Sequence, residues 1–136
     1  HVIIDASSER VILLEDHPGL EECLSLPLCG EPRCSFCYVR PSKESDFKSY
    51  IKKNLSHACE LHESRSIIEK GWFGLFGKDK RLWERAGDYA LLMKKNYIMK
   101  DWLLNQIKAK STFINIGNHG GLSSQEMLVP LCVIDG

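Results

Sequence analysis

The chain has 136 residues, the size of one modest domain. Apolar residues make up 43% and charged residues 26%, the composition of a soluble globular protein. Eighteen basic side chains balance eighteen acidic ones, so no overall positive field draws in a nucleic-acid polymer or a membrane surface.

No apolar run approaches the ~20 residues needed to cross a bilayer, and no signal-peptide pattern is visible. Six cysteines permit disulfides, but a chain this long can build a core without them; reduced thiols in a cytoplasmic protein are expected. Val2 to Ile4, then Arg10 to Leu14, read as two short β-runs around a polar turn at Ser7-Ser8-Glu9. Asp16 to Gly19 signals a turn, and Leu20 to Leu24 one helical turn. Pro27, Gly30 and Pro32 predict an irregular stretch, and Ser35 to Val39 a strand closed by Pro41.

Ser42 is the expected N-cap of the clearest helix, in which Phe47, Tyr50, Ile51 and Leu55 recur at three- and four-residue spacing. Cys59 to His62 suits a strand. A second helix is predicted from Ser64 to Gly71, burying Ile67 and Ile68. Gly71 to Gly77 is an aromatic loop with Trp72 and Trp83 in or near it, read as a buried aromatic cluster that anchors the loop, with contact to a flat ligand as the sharper alternative. Asp88 to Met99 reads as a β-hairpin turning near Lys94-Lys95-Asn96, and Asp101 to Lys110 as helix-like.

The last residues carry the most information. Phe113, Ile114 and Ile116 lead into Gly117-Asn118-His119-Gly120-Gly121. Ser123 and Glu126 have the spacing of a capping box, with Leu122 and Met127 at the spacing of its hydrophobic staple. A short helix should begin at Ser123, and Leu131 to Ile134 should close a central sheet as a buried strand. An imidazole set among glycines just before a fixed helix start suits a residue that must reach a metal accurately.

The stretch from Gly117 through His119 and Glu126 to Pro130 and Leu131 resembles the C-terminal signature of the alkaline phosphatase superfamily, nearest its nucleotide pyrophosphatase/phosphodiesterase branch. Gly30-Glu31-Pro32-Arg33 with Tyr38-Val39, and Glu69 to Gly74 with Gly87-Asp88, resemble further landmarks of that branch in the same order. The resemblance implies an α/β fold: the C-terminal part of an alkaline-phosphatase-like fold with a small mixed α+β cap subdomain. Residues 1–136 would then form a single domain fragment, with a cap at about 30–110 and core-sheet segments at 1–29 and 111–136. It implies that His119 binds one of two catalytic metals, usually zinc, acting on a phosphate-ester or nucleotide-like small molecule. An upstream hydroxyl nucleophile and an Asp-His-Gly ligand motif would lie before residue 1; His1-Val2 does not complete that motif.

No residue of this chain is therefore assigned as catalytic, and the isolated chain is expected to be inactive. Arg33 reads equally as a surface ion-pair residue, and Ser123 and Glu126 are assigned to helix capping. The rival reading is a structural zinc module built from Cys34, Cys37, His57, Cys59 and His62, although a strand would turn Cys34 and Cys37 to opposite faces. A third is a non-catalytic interaction domain presenting the Trp72-Phe73 loop and the lysine-rich segment.

Overall fold

The computed structural model describes residues 4–5, 10–74, 77–101 and 117–134. The strands are β1 (Ile4–Asp5), β2 (Val11–Leu13), β3 (Cys29–Glu31), β4 (Cys34–Cys37), β5 (Cys59–Glu63), β6 (Tyr89–Met93), β7 (Ile98–Lys100) and β8 (Gly117–Asn118). The helices are α1 (Pro18–Glu21), α2 (Glu44–Tyr50), α3 (Ser64–Glu69), α4 (Leu82–Arg85) and α5 (Ser124–Met127). Mixed helices and small sheets place the chain in the α/β class in its general sense.

The main sheet is antiparallel, in the order β3-β4-β6-β5. Directly paired residues share a face. Cys37, Tyr89, Leu91, Met93 and Cys59 therefore point one way, into the core with Phe47 and Ile51 from α2 and with Leu20, Cys23 and Leu24. That core thus draws on residues either side of position 30. Phe36, Cys34, Ala90, Leu92, Glu60 and His62 form the outer face.

Helix α2 follows a 3-10 turn over Pro41–Lys43, so Ser42 lies inside that turn and caps nothing. Glu44 and Asp46 in the first turn complement the helix dipole instead. The expected apolar face holds: Phe47, Ile51 and Leu55 are buried, and the final turn, Ile51–Leu55, widens to a π-turn.

Helix α3 begins at Ser64, whose buried hydroxyl donates to the Ala86 carbonyl at 2.6 Å. Ile67 and Ile68 are buried as expected. The helix ends in a Schellman motif. Gly71 N–H donates to Ile68 and Trp72 N–H to Ile67, with Gly71 at φ +77°, a conformation that favours glycine.

Several expectations are corrected. Pro18 starts α1 at its first position, where a missing N–H costs nothing, so the anticipated turn opens a helix. Residues 29–31 are an exposed edge strand, not irregular; an edge tolerates Gly30 because only one side is paired. Asp88 to Met99 is not a hairpin. β6 pairs with β4 and β5, whereas β7 leaves that sheet to pair in parallel with β2, through Val11↔Ile98 and Leu13↔Lys100. Leu131 to Ile134 is neither strand nor buried: Leu131 is 87% and Ile134 91% exposed, with no described strand alongside to receive them. The expected helix-like segment Asp101 to Lys110 and the apolar lead-in Phe113 to Ile116 lie, apart from Asp101 itself, outside the described residues. Among the described residues no helix is long and apolar enough to cross a membrane.

Candidate functional site

The segment around His119 is built from three contacts. First, β8 pairs antiparallel with β1, Ile4 opposite Asn118 and Asp5 opposite Gly117. The strand fixes where the chain stands one residue before the imidazole. Second, Gly120 adopts φ +99° and packs on β3; a Cβ there would lie 2.8 Å from Glu31 Cβ. Third, a Cβ at Gly121 would lie 2.5 Å from a Glu126 carboxylate oxygen. Both glycines are required by close approach, not merely by turn flexibility.

Glu126 is the hub. It completes the expected capping box with Ser123, which α5 retains. Its Oε2 accepts from the Ser123 hydroxyl at 2.6 Å and from the Ser123 N–H at 3.3 Å, while Oε1 accepts from Gly121 N–H at 2.9 Å. The staple residues Leu122 and Met127 are themselves 43% and 57% exposed.

Sequence reasoning missed the partner. Arg33 is not on the surface; its side chain is 0% exposed and that of Glu126 4%. Arg33 stands at the tip between β3 and β4 and donates from Nε to Oε1 at 3.1 Å and from Nη2 to Oε2 at 2.7 Å, a two-pronged pair across 93 residues. Its Nη1 donates to the carbonyls of Lys95 at 2.6 Å and Tyr97 at 2.8 Å. Lys95 holds φ +46°, so its carbonyl is turned by a left-handed residue that is not glycine. Every prong of the guanidinium thus has an acceptor, the condition for keeping a charge out of water.

Burial works to raise the Glu126 carboxyl, but hydrogen bonds from Arg33, Ser123 and Gly121 outweigh it and hold the group at about 2. The carboxylate therefore remains ionised at any physiological pH. The only cue available in the sequence was opposite charge within two of the stretches that carry the resemblance.

His119 itself is exposed. A catalytic zinc takes three protein ligands. Among the described residues no group of three or more His, Cys, Asp or Glu side chains is arranged to hold a metal ion. The loop offers one imidazole donor, and the described part of the chain does not by itself form the two-metal site that the resemblance implies.

The residues of the rival zinc module are divided by the sheet. Cys37 and Cys59 face the core, while Cys34 and His62 lie on the outer face. His57 packs edge-on against Tyr97, with ring centroids 5.5 Å apart. Burial, with a smaller push from Glu31, lifts the Cys34 thiol to about 11; burial lifts Cys59 to about 11 and Cys37 further still. No two of the six cysteines are bonded to each other.

The aromatic cluster of the Trp72-Phe73 loop is not buried as expected, because its rings pack on one side only; Trp83 is 40% exposed. Trp72 is 43% and Phe73 45% exposed, with Trp72 against His62 and Phe73 against Phe36. The chain matches no protein-family model, no curated protein and no solved structure.

Proposed function

We propose that this chain is the C-terminal portion of a metal-dependent phosphate-ester hydrolase related to the nucleotide pyrophosphatase/phosphodiesterase branch of the alkaline phosphatase superfamily. In this reading it contributes His119 as one ligand of a two-metal centre, and a cap subdomain that shapes the pocket. The observation that carries the reading is the buried Arg33–Glu126 pair. Arg33 and Glu126 belong to two separate stretches that each carry the resemblance, and a largely buried two-pronged contact between them ties both to the loop bearing the imidazole.

Two further features support it. The β1–β8 pairing sets the segment before the cap beside the segment after it, as two adjacent strands of one core sheet would be. Leu128, Val129, Leu131, Val133 and Ile134 are 73% to 91% exposed, an apolar run that suits a surface covered by another part of the protein. On related scaffolds two metals would stabilise the attacking and leaving oxygens while a hydroxyl attacks phosphorus; this chain's share would be to hold the imidazole in place. Nucleotides, other phosphodiesters and phosphomonoesters are all candidate substrates, because fold analogy does not choose among them.

The test uses the intact polypeptide that contains residues 1–136. Supplied with zinc, it is expected to hydrolyse bis(p-nitrophenyl) phosphate or a nucleotide pyrophosphate bond, and to lose activity to a chelator. His119→Ala should lower bound zinc and turnover together. The 136-residue chain alone should show no turnover. Turnover by that isolated chain, or zinc content and activity untouched by His119→Ala, refutes the reading.

A further inference from the structure

At the Cys37 end of β4, away from Arg33, residues of α3, α4 and the turn before β6 surround a cavity of 440 Å³. That volume falls within the roughly 300–1,000 Å³ of small-ligand sites. Val39, Ile68 and Tyr89, all buried, supply its apolar floor, and the exposed Trp83 supplies an aromatic wall. The backbone around it is fixed. Gly87, at φ +61°, packs on the Cys37 carbonyl, and Asp88 N–H donates to that same oxygen at 2.8 Å.

Four charged side chains line the same cavity: Glu44, Glu63, Arg65 and Asp88. Two of them are already answered. Glu44 pairs with Lys48 at 2.8 Å and accepts from the Tyr89 hydroxyl, and Arg65 pairs with Glu69 at 3.1 Å. Glu63 and Asp88 are not. The Glu63 carboxylate has no hydrogen bond or ion pair with any described residue. Asp88 Oδ2 accepts from Val39 N–H at 2.7 Å, which orients the group, but no described cation pairs with it.

The cavity therefore combines two uncompensated negative charges, an indole face and an apolar floor. An anion is repelled there, and a neutral ligand would cover the carboxylates without replacing their water. A compact ammonium answers the charges but leaves the flat wall unused. A guanidinium on an alkyl stem answers all three: its plane stacks on the indole, its N–H fork meets carboxylates, and its stem covers the floor. The molecule carries its own example of the first contact, since the Arg65 guanidinium carbon lies 6.0 Å from the Trp83 ring centroid.

We propose that this cavity binds a guanidinium carried on a short alkyl chain, as in an arginine side chain, between Trp83 and the carboxylates of Glu63 and Asp88. Arg65, whose side chain is 81% exposed, gives up the indole face to the incoming group and keeps its pairing with Glu69. Binding makes and breaks no covalent bond. The inference is independent of the hydrolase reading, since it uses none of the residues around His119.

The experiment is an NMR titration of the isotope-labelled full chain with L-argininamide, read at the Trp83 indole N–H, assigned with Trp83→Phe, and at the Gly87, Asp88 and Tyr89 amides. Saturable shifts with a Kd on the order of 1 mM are expected for a ligand of about a dozen non-hydrogen atoms. L-citrullinamide, which keeps the amine and the shape but lacks the guanidinium charge, should leave these signals in place. Glu63→Gln, at an exposed position, should weaken binding about threefold to fivefold, the size of one partly exposed ion pair. Arg65→Ala clears the indole and removes a competing cation, so it should tighten binding by about the same factor. A capped tripeptide with central arginine separates the sources: tighter binding than argininamide assigns the site to a side chain on a partner polypeptide, and equal or weaker binding to a free small molecule. Shifts that are absent or do not saturate with argininamide, an equal response to citrullinamide, or an affinity unchanged by both substitutions overturns the proposal.

Discussion

Substituting Glu126 by Gln tests the hub most directly, because the amide keeps the shape while removing the charge and turning one of the two acceptor atoms into a donor. In the native chain Arg33 makes four hydrogen bonds, two to Glu126 and two to backbone carbonyls, with its side chain fully out of water. Removing one partner of a buried ion pair costs about 3–5 kcal/mol, chiefly from the charge left behind. Gln retains one acceptor oxygen for Arg33, and the guanidinium keeps Lys95 and Tyr97, so the lower end, about 3 kcal/mol, is expected. Arg33→Met is harsher: it strands a carboxylate that is 4% exposed and also orphans two carbonyls, for about 5 kcal/mol in all. Against a typical total of roughly 5–15 kcal/mol that variant sits at the edge of folding, which makes Glu126→Gln the informative one. The double variant removes both charges and should cost less than the two singles summed, by about 2 kcal/mol. Urea unfolding followed by tryptophan fluorescence reads all three, with hydrogen exchange at the Gly121 and Ser123 amides reporting whether the loop loosens first. A loss below about 0.5 kcal/mol for Glu126→Gln, or strict additivity in the double, would show that the pair is not what holds the loop.

Four further outcomes follow. The Glu126 carboxyl sits at about 2 in the folded chain against an ordinary 4.5, so its contribution is fully present above about pH 4.5 and lost as pH falls toward 2; acid unfolding of the native chain should steepen in that window, and Glu126→Gln should remove that part of the slope. Gly87→Ala should destabilise by about 1–3 kcal/mol in thermal or urea melts, since Gly87 holds φ +61° and a Cβ would lie 2.6 Å from the Cys37 carbonyl oxygen; an unchanged melt would refute the close approach. Lys95→Gly should be neutral or stabilising by up to about 1 kcal/mol, because the left-handed backbone at φ +46° suits glycine; a clear loss would mean the Lys95 side chain contributes more than its backbone. Iodoacetamide at mildly alkaline pH should label the exposed Cys29 and Cys132 well before the buried Cys37 and Cys59, read by peptide mass mapping, and equal rates would contradict the burial.

Local chemistry was legible where a signal is carried by neighbours in sequence. Phe47, Ile51 and Leu55 announce their helix by spacing, Gly71 the end of α3, and Ser123 with Glu126 the cap of α5. What failed was pairing at a distance. Tyr89 to Met93 is buried on both faces, so the period-two alternation that would mark its register is absent, and a following turn at Lys94 to Asn96 invites the wrong neighbour. The true partners, β4 and β5, lie 26 to 58 positions upstream at the paired residues Glu63↔Tyr89 and Cys34↔Leu92, and nothing in the intervening sequence names them. Leu131 to Ile134 failed for the opposite reason: apolar content predicts a wish to be buried, not the presence of a sheet to be buried in.

Arg33 and Glu126 show how the two kinds of information join. Either residue alone is a charged side chain, whose default place is the surface. Glu126 caps α5 as its spacing predicts, but one role does not exhaust a carboxylate with two oxygens and several lone-pair directions. Oε1 serves Gly121 and Arg33 Nε while Oε2 serves Ser123 and Arg33 Nη2, so capping and ion pairing use the same group at once. A carboxylate that fixes a helix start, a glycine turn and a distant hairpin tip together leaves the residue between β8 and Gly120 little choice of position. That residue is His119. Its placement is therefore set by a charge pair buried 93 residues apart in sequence, and any substitution that spares His119 but breaks the pair should disturb the imidazole's reach as much as its surroundings.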